Sequence, residues 1–204
     1  MLHTEEDTYL TVSDLSPASE FKIKGSRFIS HIFQVWNAQE SEKMIATICK
    51  KYHNAAHNCY AYRISDNEYR YSDNGEPAGT AGHPIYQVIC GRNLFHVLLI
   101  VTRYFGGTKL GTGGLRKAYA TAARSALDKV KIIRKIRYIE INLSTNYEHL
   151  SDILHVVKIH EGKIKKSNYT EKIELNIQIP ISKFTAFQNE INNRLQSGIN
   201  IMKQ

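Results

Sequence analysis

The sequence predicts an α+β protein of two domains, and three observations carry that reading. The second half runs in the order β-α-β-β-α-β, the pattern of a ferredoxin-like sandwich. The first half sets short strands and amphipathic helices around one near-continuous apolar segment, Leu94 to Thr102, whose branched residues suit a strand buried on both faces. Between them, Lys131 to Arg137 is basic and locally unpatterned, which places a boundary near 135 and gives domains of 1–134 and 135–204.

In the first half, Phe21 to Lys24 and Phe28 to Val35 are strands joined at Gly25, where a residue without a side chain permits a tight turn. Asn37 is an N-cap for a helix over about 38–52, whose apolar stripe is Met44, Ile45, Ile48, Cys49 and Tyr52. Cys59 to Ile64 and Glu68 to Ser72 flank Asp66 and Asn67 as a hairpin. A helix from Thr80 to Cys90 holds Pro84 in its first turn, which fixes its start near Ala81. A second helix from Leu115 to Val130 is rich in alanine and suited to close packing. In the second half, Ile139, Ile141 and Leu143 alternate as a strand, and Leu150, Ile153, Leu154 and Val157 form a helical stripe. Lys163 to Tyr169 and Ile173 to Ile179 are strands, Phe184, Phe187, Ile191 and Leu195 mark a helix, and Ile199 to Met202 is the last strand.

The longest apolar run, Val97 to Val101, is far too short to span a bilayer, so no membrane is expected as partner. Glu5, Glu6 and Asp7 stand where an export signal would need positive charge, which points to the cytoplasm. Cys49, Cys59 and Cys90 are odd in number and widely spaced, as reduced thiols are. The net charge of +8 is uneven: residues 1–20 carry five acids and no Lys or Arg, whereas residues 21–132 carry 16 basic against 7 acidic side chains. So basic a body favours polyanionic partners, nucleic acid first among them.

The segment from Arg103 to Leu115 places five of the twelve glycines between a buried strand and a helix. Gly106, Gly107, Gly111, Gly113 and Gly114 let backbone N–H groups turn toward a ligand, and a helix start adds the positive end of its dipole. Arg103, Lys109, Arg116 and Lys117 are placed to contact phosphate oxygens. The spacing fits neither the Walker pattern nor the dinucleotide fingerprint, and a tight turn with close helix packing is the alternative reason for the glycines. The segment Tyr71 to Gly82 mixes carboxylates with turn formers. Asp73 and Glu76 have the ligand type for a divalent ion or for proton transfer, while Asp, Asn and Gly here equally make a turn and Thr80 a helix cap. His53, His57 and Cys59 are zinc-compatible in type but lack a fourth ligand, so structural histidines and a buried thiol are expected, with no metal and no cofactor. Lys163, Lys165, Lys166 and Tyr169 make a basic strand that suits either an RNA-facing sheet or a solvated edge.

Four ordered blocks, Lys24-Gly-Ser-Arg-Phe28, His57-Asn-Cys-Tyr-Ala-Tyr62, Ser72-Asp-Asn-Gly-Glu-Pro-Ala-Gly-Thr-Ala-Gly82 and Val101 to Leu115, resemble the signature of the YigZ/IMPACT family. The resemblance covers roughly residues 16–130, and the tail resembles the second domain of bacterial members. It implies an N-terminal ribosomal-protein/elongation-factor-G-like β-α-β domain with a left-handed crossover, a topology that connection rules alone would not have chosen. It also implies a tail similar to the last domain of elongation factor G. Eukaryotic relatives restrain a starvation-sensing kinase, an activity tied to a domain without a counterpart in these residues and therefore not carried over. The sequence departs from the usual pattern at Asn74, Ala78, Arg116 and Lys117, where the family commonly has Asp, Ser, Val and Arg.

Together these readings favour a translation-linked RNA- or ribosome-binding regulatory protein, with a possible protein partner in translation. Its anion site is expected at Lys24, Arg27, Arg103, Lys109, Arg116, Lys117 and the loop glycines, extended by Lys163, Lys165 and Lys166. The alternatives are an enzyme acting on a small phosphorylated or nucleotide substrate through His57, Asp73 and Glu76, or a protein-binding module. Oligomeric state is left open.

Overall fold

The computed structural model describes residues 7–13, 18–194 and 200–203. Leu10–Arg134 form one compact unit, and the described residues on either side of them form another. In the first unit, β2 (Ser19–Ile23), β3 (Ser26–Gln34), β4 (His57–Arg63), β5 (Tyr69–Ser72) and β6 (Val97–Tyr104) make an antiparallel sheet in the order β2-β3-β6-β4-β5. A separate two-stranded ribbon pairs β1 (Thr8–Val12) with β7 (Ile132–Ile136). The basic stretch expected to be unpatterned is therefore partly a strand, since Ile132, Ile133 and Ile136 break its run of charges and suit β structure.

Central strand β6 shows why its sequence lacks polar alternation. Leu98 and Ile100 pack on one face with Ile45 and Ile48 of α1 (Ala38–Lys51). Val97, Leu99 and Val101 pack on the other with α2 (Gly82–Gly91) and α3 (Gly111–Leu127), through Ile85, Ile89, Leu115 and Tyr119. Both faces are covered by helices, so every position from Val97 to Val101 is apolar and fully buried. Helix α1 starts where its cap residue dictates: Asn37 Oδ1 accepts the Glu40 N–H at 2.8 Å, and the Glu40 carboxylate accepts the Trp36 N–H at 2.7 Å.

Two expectations shift. The connection between β4 and β5 spans Ile64 to Glu68, closed by Ile64 N–H to Glu68 O at 2.8 Å, and is longer than a two-residue turn. Helix α3 begins at Gly111, four residues ahead of Leu115, so three of the clustered glycines lie in its first turn. Helix propensity argued against this, but a first turn tolerates glycine because its N–H groups have no intrahelical acceptor in any case.

The second unit contains β8 (Tyr138–Thr145), α4 (Leu150–Ile159), β9 (Lys163–Tyr169), β10 (Ile173–Pro180), α5 (Phe184–Arg194) and β11 (Asn200–Lys203). The sheet order β11-β8-β10-β9, antiparallel throughout, is the ferredoxin-like arrangement. Its core joins Ile141, Leu143, Leu175 and Ile177 to Ile153, Val156 and Val157 of α4 and to Phe187 and Ile191 of α5. Leu154, expected in that stripe, is 39% exposed, and Val156 takes the inward position. Leu195 and Ile199 lie outside the described residues.

The hairpin of β2 and β3 places the site. Lys24 and Gly25 both have positive φ, 46° and 75°, the two-residue turn whose twist matches the strands. Gly25 lies against Gly106 so closely that a Cβ on Gly106 would come within 1.8 Å of the Gly25 carbonyl carbon and 2.1 Å of Ser26 N. This is contact between two backbones, which no side-chain rotation relieves. Gly106→Ala should therefore lower stability by on the order of 3 kcal/mol, read as a fall in the urea midpoint, whereas Gly107→Ala places its Cβ in open space and should suffer mainly from its positive φ.

Candidate functional site

The loop from Asp73 to Ala81 is organised around one carboxylate. Asp73 accepts N–H bonds from Gly79 at 2.8 Å, Ala81 at 2.8 Å and Gly82 at 2.9 Å, so it caps α2 from a distance. Thr80, the cap expected from sequence, instead donates its hydroxyl to Pro77 O at 2.6 Å. Partial burial would raise the Asp73 carboxyl, but N–H groups of Gly79, Ala81, Gly82 and Thr80 outweigh it and hold the group below its ordinary range. Asn74 and Gly75 follow with positive φ, 43° and 84°, reversing the chain. Asn74 Oδ1 accepts the Asn58 N–H at 2.7 Å, a task that an uncharged amide oxygen performs as well as a carboxylate.

The reversal drives Glu76 inward, to 8% exposure. There it accepts from Arg103 Nη1 at 2.6 Å and from Tyr119 Oη at 2.8 Å, which ties the loop to the end of β6 and to α3. His57 Nε2 is 3.8 Å from the same oxygen, while its Nδ1 lies 2.9 Å from Asn74 O and so carries the proton. Arg103 Nη2 also donates to Ser26 Oγ at 3.3 Å, and Ser26 Oγ accepts the Gly106 N–H at 3.2 Å. Arg103, expected to reach phosphate, is thus only 5% exposed and neutralised by Glu76.

The Cys59 thiol donates to Asp73 O at 3.0 Å and lies 3.3 Å from Tyr119 Oη. Burial first, with the charges of Glu76 and Asp73 adding, pushes it up to about 12, so it is a neutral thiol and a poor nucleophile. Burial likewise holds the Tyr119 phenol above its ordinary value, which keeps it a donor to Glu76. Asp73 and Glu76 both have internal partners, and among the described residues no group of three or more His, Cys, Asp or Glu side chains is arranged to hold a metal ion.

The glycine-rich segment faces outward from this network. Gly107, Thr108, Lys109, Gly111, Thr112 and Gly113 are exposed, and a Cβ at Gly107, Gly111 or Gly113 would meet nothing within 4 Å. Close packing therefore explains Gly106 but not these three. Leu110, at the cap position of α3, gives no side-chain acceptor, so the first-turn N–H groups are left to solvent or a ligand. The Gly25–Gly106 contact brings the hairpin of Lys24 and Arg27 alongside; Arg27 pairs with Glu20 at 3.4 Å and lies over the Tyr104 ring at 5.3 Å. Gly114 lies beneath, with Leu110 Cβ 3.2 Å from where its own Cβ would be.

A groove of about 800 Å³ runs between α2 and α3, and its lining includes Gly79, Gly113, Arg116 and Lys117 but no carboxylate. Arg116 Nε donates to Gly79 O at 3.1 Å, which holds its guanidinium on the wall. His83, Arg92 and Arg124 also line it and were not singled out from sequence. For His83 and Arg124 the signal was helical spacing: 116, 120 and 124 share a face of α3, and 83, 87 and 91 a face of α2. In the second unit, Lys163, Lys165 and Lys166 lie on β9, an edge strand exposed along its whole length, where lysine discourages strand pairing whatever else it does. Lys166 and Lys163 stand opposite Asn176 and Gln178, and the irregularity beside Lys165 breaks the register. No helix among the described residues is long and apolar enough to cross a membrane.

A two-domain α+β chain with these blocks has clear relatives. Residues 24–127 match the Impact N-terminal domain, and residues 143–197 match a domain of unknown function, DUF1949. The IMPACT family member YvyE of Bacillus subtilis (strain 168) is 35% identical over 189 residues, 92% of this chain and 85% of that protein. The IMPACT family member YigZ of Escherichia coli (strain K12) is 31% identical over 83% of this chain and 85% of its own. A crystal structure described as that of a hypothetical protein superposes with a TM-score of 0.70 at 27% identity, over 97% of this chain and 98% of that one. This chain belongs to the IMPACT family.

Because the folded Asp73 carboxyl is held low, its bonds stabilise the protein above about pH 4, the ordinary Asp value, and lose that effect as pH falls through the lowered folded value. Asp73→Ala should cost about 1–2 kcal/mol at pH 7, with the gap to wild type closing toward pH 3 in urea titrations. For the buried thiol, iodoacetamide at pH 8 should leave Cys59 unmodified in native protein and label it after denaturation, as mass spectrometry of the peptides will read.

Proposed function

We propose that this protein is a translation-linked RNA- or ribosome-binding regulatory protein of the cytoplasm, with an anion site where the glycine-rich segment enters α3. The observation that carries this reading is the carboxylate-free groove between α2 and α3, which begins at that helix start and holds Arg116 and Lys117 on its wall. Open first-turn amides and exposed Lys109 stand at the same end, and the basic charge of residues 21–132 gives the long-range attraction that phosphate-bearing polymers feel. Lys24 and Arg27 add charge beside Gly106, while Lys163, Lys165 and Lys166 offer a separate basic contact on the second unit.

A second reading is an enzyme acting on a small phosphorylated or nucleotide substrate, favoured by the approach of partly exposed His57 to Glu76. Against it stand the internal partners of Glu76 and Asp73 and the neutral state of Cys59. Filter binding with labelled RNA across a salt series, alongside ribosome co-sedimentation, tests the first reading. Affinity should fall steeply with salt, and Lys109→Glu should weaken binding uniformly across sequences and reduce the slope by about 1. Absence of RNA and ribosome binding at low salt, or binding with no salt slope, overturns it.

A further inference from the structure

The α2–α3 groove is bordered at its His83 end by a run of aromatic rings that the fold leaves partly open. Tyr69 and Tyr71 are alternate residues of edge strand β5 and so share one face of the sheet. They are 48% and 42% exposed. Tyr86 of α2 stacks on Tyr69 with ring centroids 4.8 Å apart and planes 24° apart, and lies 5.6 Å from Tyr71. His83, one helical turn before Tyr86, meets Tyr71 edge-on at 5.6 Å. His83 also lines the groove, so one residue belongs to both the ring surface and the cationic wall.

The groove itself is cationic, with Gln87, Arg92, Arg116, Lys117 and Arg124 around its sides. Arg92 is paired with Asp128, whereas Lys117 and Arg124 enter no ion pair among the described residues. Arg116 and Arg124 are eight residues apart on α3, about 12 Å along the axis, which leaves room for more than one phosphate. A charge track for a backbone lies next to flat rings at half exposure, and that pairing is what an unpaired strand uses. A duplex hides its base faces, while every unpaired base offers one for stacking.

We infer that the α2–α3 groove and the adjoining Tyr69, Tyr71 and His83 rings form a track for single-stranded RNA, with phosphates along Arg116, Lys117 and Arg124 and bases stacked on the exposed tyrosines. The inference rests on the RNA-binding reading above and narrows it from RNA in general to the unpaired strand.

Fluorescence anisotropy of the full chain with a labelled uridine 12-mer, the same length of RNA duplex, and single-stranded DNA of matching sequence tests it. The single-stranded RNA should bind more tightly than the duplex and at least as tightly as the DNA. The double variant Arg116→Glu, Arg124→Glu should lose affinity and about two units of salt slope. Tyr71→Leu should lose roughly fivefold or more with the slope unchanged, the effect of one lost stacking platform, and Tyr71→Phe should restore it. Because Tyr71 and Tyr69 are exposed, circular dichroism of these variants should match wild type. Duplex binding equal to or tighter than single-strand binding, tighter binding of the DNA, or unchanged affinity in the Tyr69→Leu, Tyr71→Leu double variant each overturns the track. Ribosome or duplex binding without single-strand binding sinks this inference alone, whereas absence of binding to every RNA form and to ribosomes sinks the broader reading with it.

Discussion

Arg103 and Glu76 face each other inside the first unit at 6% and 3% side-chain exposure, and much of the local architecture follows from the need to keep two buried charges together. Removing either partner from such a pair leaves an uncompensated charge and typically costs about 3–5 kcal/mol. Arg103 sits at the end of the central strand and Glu76 in a loop that would otherwise have no reason to enter the core. Their bond, with the Tyr119 hydroxyl on the same oxygen, joins β6, the loop before α2, and α3 at one point. Ser26 extends the connection to Gly106 and to the β2–β3 hairpin.

This interior network divides the polar residues of the signature blocks and of the first turns of α3 into two populations. Asp73, Asn74, Glu76, Arg103 and Ser26 satisfy backbone groups or one another, and their chemistry is that of a scaffold. Lys109, Arg116, Lys117 and the glycines at 107, 111 and 113 remain on the outside. Asp73 fixes where α2 begins, and the Tyr119–Glu76 bond anchors the middle of α3, so both walls of the groove are tied to the scaffold. Surface residues mounted on helices tied to such a network are held in place before any ligand arrives, and rigidity of that kind lowers the ordering cost of binding.

The same division bears on chemistry. Catalysis by a carboxylate or thiol needs an atom with unused capacity facing the substrate, in a protonation state suited to the step. Cys59 is neutral and enclosed, Asp73 is committed to helix amides, and Glu76 to Arg103 and Tyr119. The cationic groove, by contrast, has no carboxylate in its lining, and its Lys117 and Arg124 enter no ion pair among the described residues.

Much of the fold was legible from residues alone, because local periodicity and caps are local physics. The two-sided apolar run of β6, the Asn37 cap and the β-α-β-β-α-β order of the tail all depend on neighbours a few positions away. The four signature blocks likewise contained the residues of the buried network, Ser26, His57, Cys59, Asp73, Glu76 and Arg103. Sequence could not say which charges turn inward: Arg103 and Lys109 look equivalent in a string of letters, yet one is sealed against Glu76 27 positions away and the other is exposed. Nor could it distinguish glycines needed for backbone contact, as at Gly106, from those where an added Cβ would meet open space, or align Arg92, Arg124, His83 and Tyr71 from separate parts of the chain. Those outcomes rest on long-range packing, and burial, which sets whether a charge is neutralised or presented, is a property of the assembled fold.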